Sequence, residues 1–218
     1  LLEQVGEGKK IGMSSAFSNM FWGIRAFGGE LMDEDGQIIL DRGGFANWLA
    51  WLASAQPGPN FLIDRDRETL RTLFGEGDLA YLIDGSWAAQ ELRNLVGEEV
   101  LGVASLPAGP IGPASPLLET NAFMLSAASS ERQQELAVEL AKFITNPEQA
   151  TTLMRRGDRI PASSRILVNP SVDPIAFPFI AQARNAIAYE NTRAMDAVIN
   201  IGAGAYNRAL QGVEGPVE

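Results

Sequence analysis

Leu79-Ala80-Tyr81-Leu82-Ile83 is a short apolar run. Asp84-Gly85-Ser86 follows it with turn chemistry, and Trp87, Leu92 and Leu95 then recur at helical spacing. A buried-type strand that turns straight into an amphipathic helix belongs to an α/β architecture, in which strands and helices alternate. The rest of the chain continues the alternation. Residues 9–13 predict a strand, and the aromatic run 19–27 ends at Gly28-Gly29. Asp35-Gly36 predicts a turn between 30–32 and 37–40, hence a small hairpin. Phe45, Trp48, Leu49 and Leu52 predict a helix over 44–54. Asp64 is placed to cap a helix that carries Leu70, Leu73 and Phe74. Residues 100–106 and 121–126 read as further strands. Ser130 with Gln133 reads as a capping box, opening a helix with Leu136, Leu140, Phe143 and Ile144 on one face. Asn146-Pro147 opens a helix that stops at Gly157. Asp173-Pro174 opens another, and residues 193–210 form a longer one stopped by Gly212. The Pro- and Gly-rich stretch 107–116 is the natural lobe boundary.

Composition removes whole classes of chemistry. The 218 residues include no Cys and no His. That excludes thiol nucleophiles, disulfides, Ser-His-Asp triads and most transition-metal sites. No cofactor motif is present: neither a Walker loop nor a GxGxxG after a strand. The formal charge is −10, so the chain repels phosphate backbones and nucleic acid is not an expected partner. With 46% hydrophobic and 20% charged residues the chain has the makings of a folded core. No apolar stretch of about 18 residues offers a membrane span. Asp33-Glu34-Asp35-Gly36 departs from the calcium-loop pattern, which needs Gly at position six and Glu at twelve, and reads as a solvated hairpin turn.

Trp87 carries two readings. At the start of a helix that follows a strand, it stands where open α/β folds bind ligands. An indole there presents a flat apolar face on which the C–H face of a pyranose can stack, while Ser86 beside it bonds a hydroxyl. The alternative is a packing residue of the core. Ser18-Asn19-Met20-Phe21-Trp22 mixes polar groups with aromatics in the same strand-to-helix position, so Asn19, Phe21 and Trp22 are further candidates. Trp48 and Trp51 read as packing residues.

Several segments together resemble the extracellular solute-binding proteins of ABC importers, in the family of the maltose-binding protein. They are Ala26-Phe27-Gly28-Gly29-Glu30-Leu31 with Asp33-Glu34-Asp35-Gly36, and Phe74-Gly75-Glu76-Gly77 with Leu79 through Trp87. The stretch 103–107, then 121–126 with the helix to Ile144, Asn146-Pro147-Glu148-Gln149-Ala150, and Ile160-Pro161-Ala162 complete the series. The resemblance implies a type II periplasmic binding protein fold, a mixed sheet flanked by helices in two lobes. It assigns residues 1–117 and 168–212 to the second lobe, 118–167 to an orphan part of the first, and 213–218 to a truncated tail. It thus implies that a front portion of the first lobe lies outside this chain, whose start at Leu1 fits a removed leader or an excised piece.

The family implies capture of a small-molecule sugar outside the cell and delivery to ABC permease membrane subunits, with no catalysis and no metal or other cofactor. It places Trp87 on the sugar and the Ser18–Trp22 loop toward the cleft. The segment Glu119-Thr120-Asn121 matches one that is commonly Gly-Gly-Trp, so Glu119 and Asn121 offer hydrogen bonds without stacking. Arg159 is the cation that would admit an anionic solute. Relatives carry a carboxylate and a tyrosine near Ala16 and Ser18 and an aromatic near Met195, and this chain carries none of these. A non-transport binding module and a carboxylate glycosidase are the other two readings. An uncovered apolar face at Leu136, Leu140, Phe143 and Ile144 implies self-association.

Overall fold

A computed structural model describes residues 8–157 and 159–212. The expected tail, 213–218, lies outside the described residues. No helix among them is long and apolar enough to cross a membrane.

The described residues divide into two compact units. The first comprises those of Leu1–Asp84, Ser105–Leu118 and Ala181–Glu218, and the second comprises Gly85–Ala104 and Glu119–Ile180. One boundary, 118/119, lies a residue from the expected 117/118. The expected 167/168 boundary falls inside the second unit, and 85–104 belongs to the second unit as well.

Unit 1 is built on a parallel sheet of three strands, β1 (Lys10–Ser14), β2 (Phe61–Asp64) and β3 (Leu79–Ile83), in the order β2-β1-β3. β1 is the centre of the sheet and has Ile11, Gly12, Met13 and Ser14 all buried. A strand covered on both faces is apolar throughout instead of alternating. Its register sets Met13 beside Ile63 on one side and Ile83 on the other. A second parallel pair joins β4 (Leu117–Leu118) to β5 (Ile187–Ala188). Both named sheets are parallel, where a mixed sheet was expected. The reason is the connections: long excursions containing helices, not hairpins, link the paired strands.

Helices α1 (Phe17–Met20), α2 (Gly23–Ala26), α3 (Gly44–Ala55), α4 (Arg67–Gly75) and α9 (Arg193–Gln211) cover that sheet. An aromatic cluster fills the interior. Trp48 is stacked on Trp51 with ring centres 5.2 Å apart, and its Nε1 donates to the Met20 carbonyl at 3.0 Å. Gly23 makes room for it, since a Cβ there would lie 2.2 Å from the Trp48 ring. α9 adds Val198 and Tyr206, both fully buried, and ends on Gly212 in the left-handed region at φ 67°, as expected of a C-cap glycine.

Unit 2 holds a 3-10 turn (Ser86–Ala88), α5 (Ala89–Val96), α6 (Glu131–Ile144), α7 (Pro147–Gly157) and most of α8 (Ala176–Ala183). Its buried apolar side chains are few: Ala88, Ala89, Leu92, Met154 and Ala176.

Four local expectations meet a correction. Asp66, not Asp64, caps α4, accepting from the Glu68 amide at 3.1 Å, while Asp64 ends β2 and accepts from the Asp66 amide. β2 itself is four residues long and begins directly after the loop residues Pro57-Gly58-Pro59-Asn60. Residues 100–106 and 121–126 form no strand, since apolar composition alone makes no ladder. The 30–40 hairpin reduces to one antiparallel bridge, Met32 with Ile38, around a turn in which Asp33 Oδ1 accepts from the Asp35 and Gln37 amides.

Candidate functional site

Trp87 follows β3 by four residues. At the end of that strand Asp84 is held by two guanidiniums of α4. Arg67 pairs with its Oδ1, and Arg71 Nε lies 3.7 Å from Oδ2. The Asp84 side chain is only 7% exposed, so the pairing answers a nearly buried charge. Arg67 and Arg71 stand one helical turn apart on α4 and therefore share a face. Sequence reasoning passed over this cluster; the i,i+4 arginines facing a post-strand aspartate were its signal.

Gly85 then opens unit 2 in extended backbone. Its missing side chain matters: a Cβ there would lie 2.2 Å from two ring carbons of Trp87. The indole is thus folded over the bare backbone of Gly85, which supports one face. Ala88, Ala89 and Leu92 are buried and anchor the turn, so the ring stands on a fixed base while remaining 56% exposed. The core alternative for Trp87 does not hold. Ser86 beside it is half-buried, and its carbonyl accepts from the Ala89 amide.

Phe21 and Trp22 are the opposite case and correct the expectation for the 18–22 loop. Both are buried, Phe21 edge-on to Phe17 at 5.7 Å and Trp22 against Trp48 at 4.7 Å. Two consecutive large apolar rings between the short helices α1 and α2 bury most area by turning into the unit 1 core, so neither presents a face to a solute. The Trp22 carbonyl is also taken, accepting from the Ser115 amide at 2.9 Å. Asn19 is half-buried on α1, with its amide donating to the Ala16 carbonyl.

Glu119 and Asn121 are both exposed at the start of the second stretch of unit 2, two residues apart on irregular backbone. Arg159 is exposed just after α7, and its amide donates to the Leu153 carbonyl at 3.4 Å. The structure therefore brings together Ser86 with Trp87 on one turn, and Glu119 with Asn121 on one segment. Two shallow depressions in unit 2 involve none of the expected residues. One of about 420 Å³ lies between Leu125 and the Glu131-to-Lys142 side of α6. The other, about 350 Å³, is lined by Gln90, Arg93, Asn94, Glu98, Arg155 and Arg156. Among the described residues no group of three or more Asp or Glu is disposed to hold a metal ion.

A half-exposed indole with a supported back face and a neighbouring hydroxyl make a surface for stacking and hydrogen bonding.

Solved structures share this fold. The chain superposes on the maltose/maltodextrin-binding domain MalE from Bdellovibrio bacteriovorus, bound to maltotriose, with a TM-score of 0.78 at 21% identity. That match covers 96% of this chain and 56% of the other. Maltose-bound MalE3 from T. maritima gives a TM-score of 0.78 at 19% identity, covering 96% and 57%. The GacH receptor of Streptomyces glaucescens, solved unliganded and with acarbose, gives 0.79 at 15% identity, covering 96% and 55%. The fold is thus that of type II periplasmic binding proteins, and the chain spans a little over half the length of the structures it resembles. No curated protein sequence matches it. Residues 1–176, however, match the profile of a family described as bacterial extracellular solute-binding protein, and that span is most of the sequence. This chain belongs to the bacterial extracellular solute-binding protein family.

Proposed function

We propose that this chain binds a neutral sugar as the solute-recognition part of an ABC-type importer, without catalysing any reaction on it. The observation that carries the reading is Trp87: an indole backed by Gly85, more than half exposed, with Ser86 beside it. Stacking of one aromatic face on a pyranose, completed by hydroxyl hydrogen bonds, is a recognition mode for a polyhydroxylated guest that needs neither metal nor cofactor. Glu119 and Asn121 are proposed as hydrogen-bonding groups and Asn19 as a further one, while Arg159 serves a guest with anionic character. The net charge of −10 favours a neutral guest. The family description and the sugars in the similar solved structures support the class of ligand and an extracellular setting, and ABC permease subunits are the proposed downstream partner.

A stacked ring on an open surface buries little of a ligand, so binding by this chain is weak, with a dissociation constant of ~1 mM, equivalent to about 4 kcal/mol. The test is a tryptophan fluorescence titration against a panel of neutral oligosaccharides that includes maltose and maltotriose. A saturable change in the parent that vanishes in Trp87→Ala is expected. A parent that stays silent up to ~100 mM sugar, far above that constant, overturns the proposal, as does a response that Trp87→Ala leaves intact.

A further inference from the structure

Gly85 meets two demands that pull apart. A side chain there would strike the indole of Trp87, so the position needs glycine. Yet glycine has the freest backbone of any residue, and no side chain by which neighbours could hold it. Gly85 nonetheless keeps an extended conformation, with φ −91° and ψ 168°. On its C-terminal side the Gly85 carbonyl accepts from the Ala88 amide at 3.1 Å. On its N-terminal side stands Asp84.

Asp84 is gripped within unit 1. One carboxylate oxygen pairs with Arg67, the other lies 3.7 Å from Arg71 Nε, and the side chain is nearly buried. Arg71 also pairs with Glu68 at 3.1 Å, so two guanidiniums are set among two carboxylates. Both arginines sit on α4, whose own place is well determined. Asp66 caps it, and Leu70, between the two arginines in sequence, is 2% exposed. Leu70 reaches the central strand at Gly12, where an added Cβ would lie 3.3 Å from a Leu70 methyl and 2.4 Å from one of Leu79. α4 therefore lies close on the sheet, and its guanidiniums have little room to drift. A nearly buried ion cluster adds little stability over apolar packing, because desolvation offsets the attraction; what it supplies is one defined geometry. Its place in the sheet is apt. The order β2-β1-β3 reverses direction at the central strand, and open α/β sheets bind ligands outside the carboxyl ends of their strands at such a reversal. Asp84 directly follows the carboxyl end of β3.

We propose that Asp84 is the positioning residue of the stacking turn. Its clamp by Arg67 and Arg71 fixes the strand end from which Gly85, Ser86 and Trp87 depart, and so limits the conformations open to the glycine beneath the indole. This role depends on Trp87 being the sugar-stacking group. Holding the turn before the sugar arrives removes an ordering cost from binding.

The test joins a sugar titration with fluorine NMR of the chain labelled with 5-fluorotryptophan. The four tryptophans give four resonances, and Trp87→Phe assigns the one that matters. Asp84→Asn keeps the shape of the side chain and removes its charge. It is expected to shift and broaden the Trp87 resonance, to leave those of Trp22, Trp48 and Trp51 in place, and to raise the sugar dissociation constant about tenfold. Arg67 is the more exposed arm of the clamp, so its replacement spares the fold where Asp84→Asn does not. Arg67→Gln moves the same resonance, and Arg67→Lys, which keeps the ion pair, leaves it near the parent position. A cluster that only stabilises the fold gives a different result: Asp84→Asn lowers the melting temperature, while the Trp87 resonance and the sugar affinity of the folded protein stay as they were. That result overturns the proposal, as does an Arg67→Gln spectrum indistinguishable from that of Arg67→Lys. The spectra are recorded without sugar. A parent that binds no sugar therefore defeats the reading of Trp87 as a binding group, and the Trp87 resonance still decides for or against the clamp.

Discussion

Tyr206 places a hydroxyl in the unit 1 core with no hydrogen-bond partner among the described residues, while its ring packs against Phe17 at 6.0 Å. The ring is 1% exposed, so the orphaned oxygen carries a desolvation cost that nothing offsets. Burial pushes the phenol well above its ordinary value of 10.0, because the core disfavours the phenolate. The unfolded chain ionises this group near pH 10 and the folded chain does not. Stability from this residue is therefore constant below pH 10 and falls as the pH rises beyond it. Tyr206→Phe keeps the ring and removes the oxygen. We expect it to leave stability at pH 7 unchanged or raised by about 1 kcal/mol, and to flatten the decline above pH 10. Thermal unfolding of both proteins from pH 7 to 11 measures this. A loss of stability in the variant at pH 7 would show that the hydroxyl has a partner after all, and would refute the account. At the acid end Asp66 works in the opposite direction. The Thr69 hydroxyl and the Glu68 amide bond its carboxylate and lower its pKa, so its contribution as a cap is lost as pH falls below the usual carboxylate range.

Among the elements, α6 depends most on its own ends. With none of its residues fully buried, packing supplies little to hold it, and an isolated helix of this length is marginal in water. Ser130 compensates with a capping box: its Oγ accepts from the Gln133 amide, and the Gln133 side chain accepts from the Ser130 amide at 2.9 Å. Ser130→Ala is expected to cost about 1 kcal/mol and to fray the first turn. Amide exchange at residues 131–134 should quicken several-fold while exchange in α9 is unchanged. Unaltered exchange there would mean that packing, not capping, sustains the helix. The box was legible in the sequence because caps act within four residues, and α7 and α9 were legible for the same reason. The 100–106 and 121–126 stretches were misread because a strand exists only through its neighbour, which local pattern cannot supply. The site shows the same division. In the sequence Trp22 and Trp87 each come after an expected strand and near the start of a helical run, so position alone treats them alike. What separates them is the Trp48 ring beside Trp22 and the bare Gly85 under Trp87. Only the second could be guessed, from a glycine two residues before the indole.

At the scale of the whole molecule, stability is unevenly shared. The contiguous core, from Ile11 through Trp48 to Tyr206 and Ala209, lies within unit 1. Unit 2 buries five apolar side chains, three of them alanines, and leaves Phe123, Met124, Leu125, Leu136, Leu140 and Phe143 largely in solvent, Met124 at 89%. Local opening free energy tracks buried apolar contact, so the two units should not exchange their amides alike. In native-state hydrogen exchange, β1, β3, α3 and α9 are expected to open only with global unfolding, and α5, α6 and α7 through cheaper partial openings. Chemical denaturation followed by tryptophan fluorescence would then report chiefly unit 1, because Trp22, Trp48 and Trp51 lie there and Trp87 alone lies in unit 2. Circular dichroism counts the helices of both units, so its transition should begin at lower denaturant. Coincident transitions and uniform protection would show one cooperative body and defeat this picture.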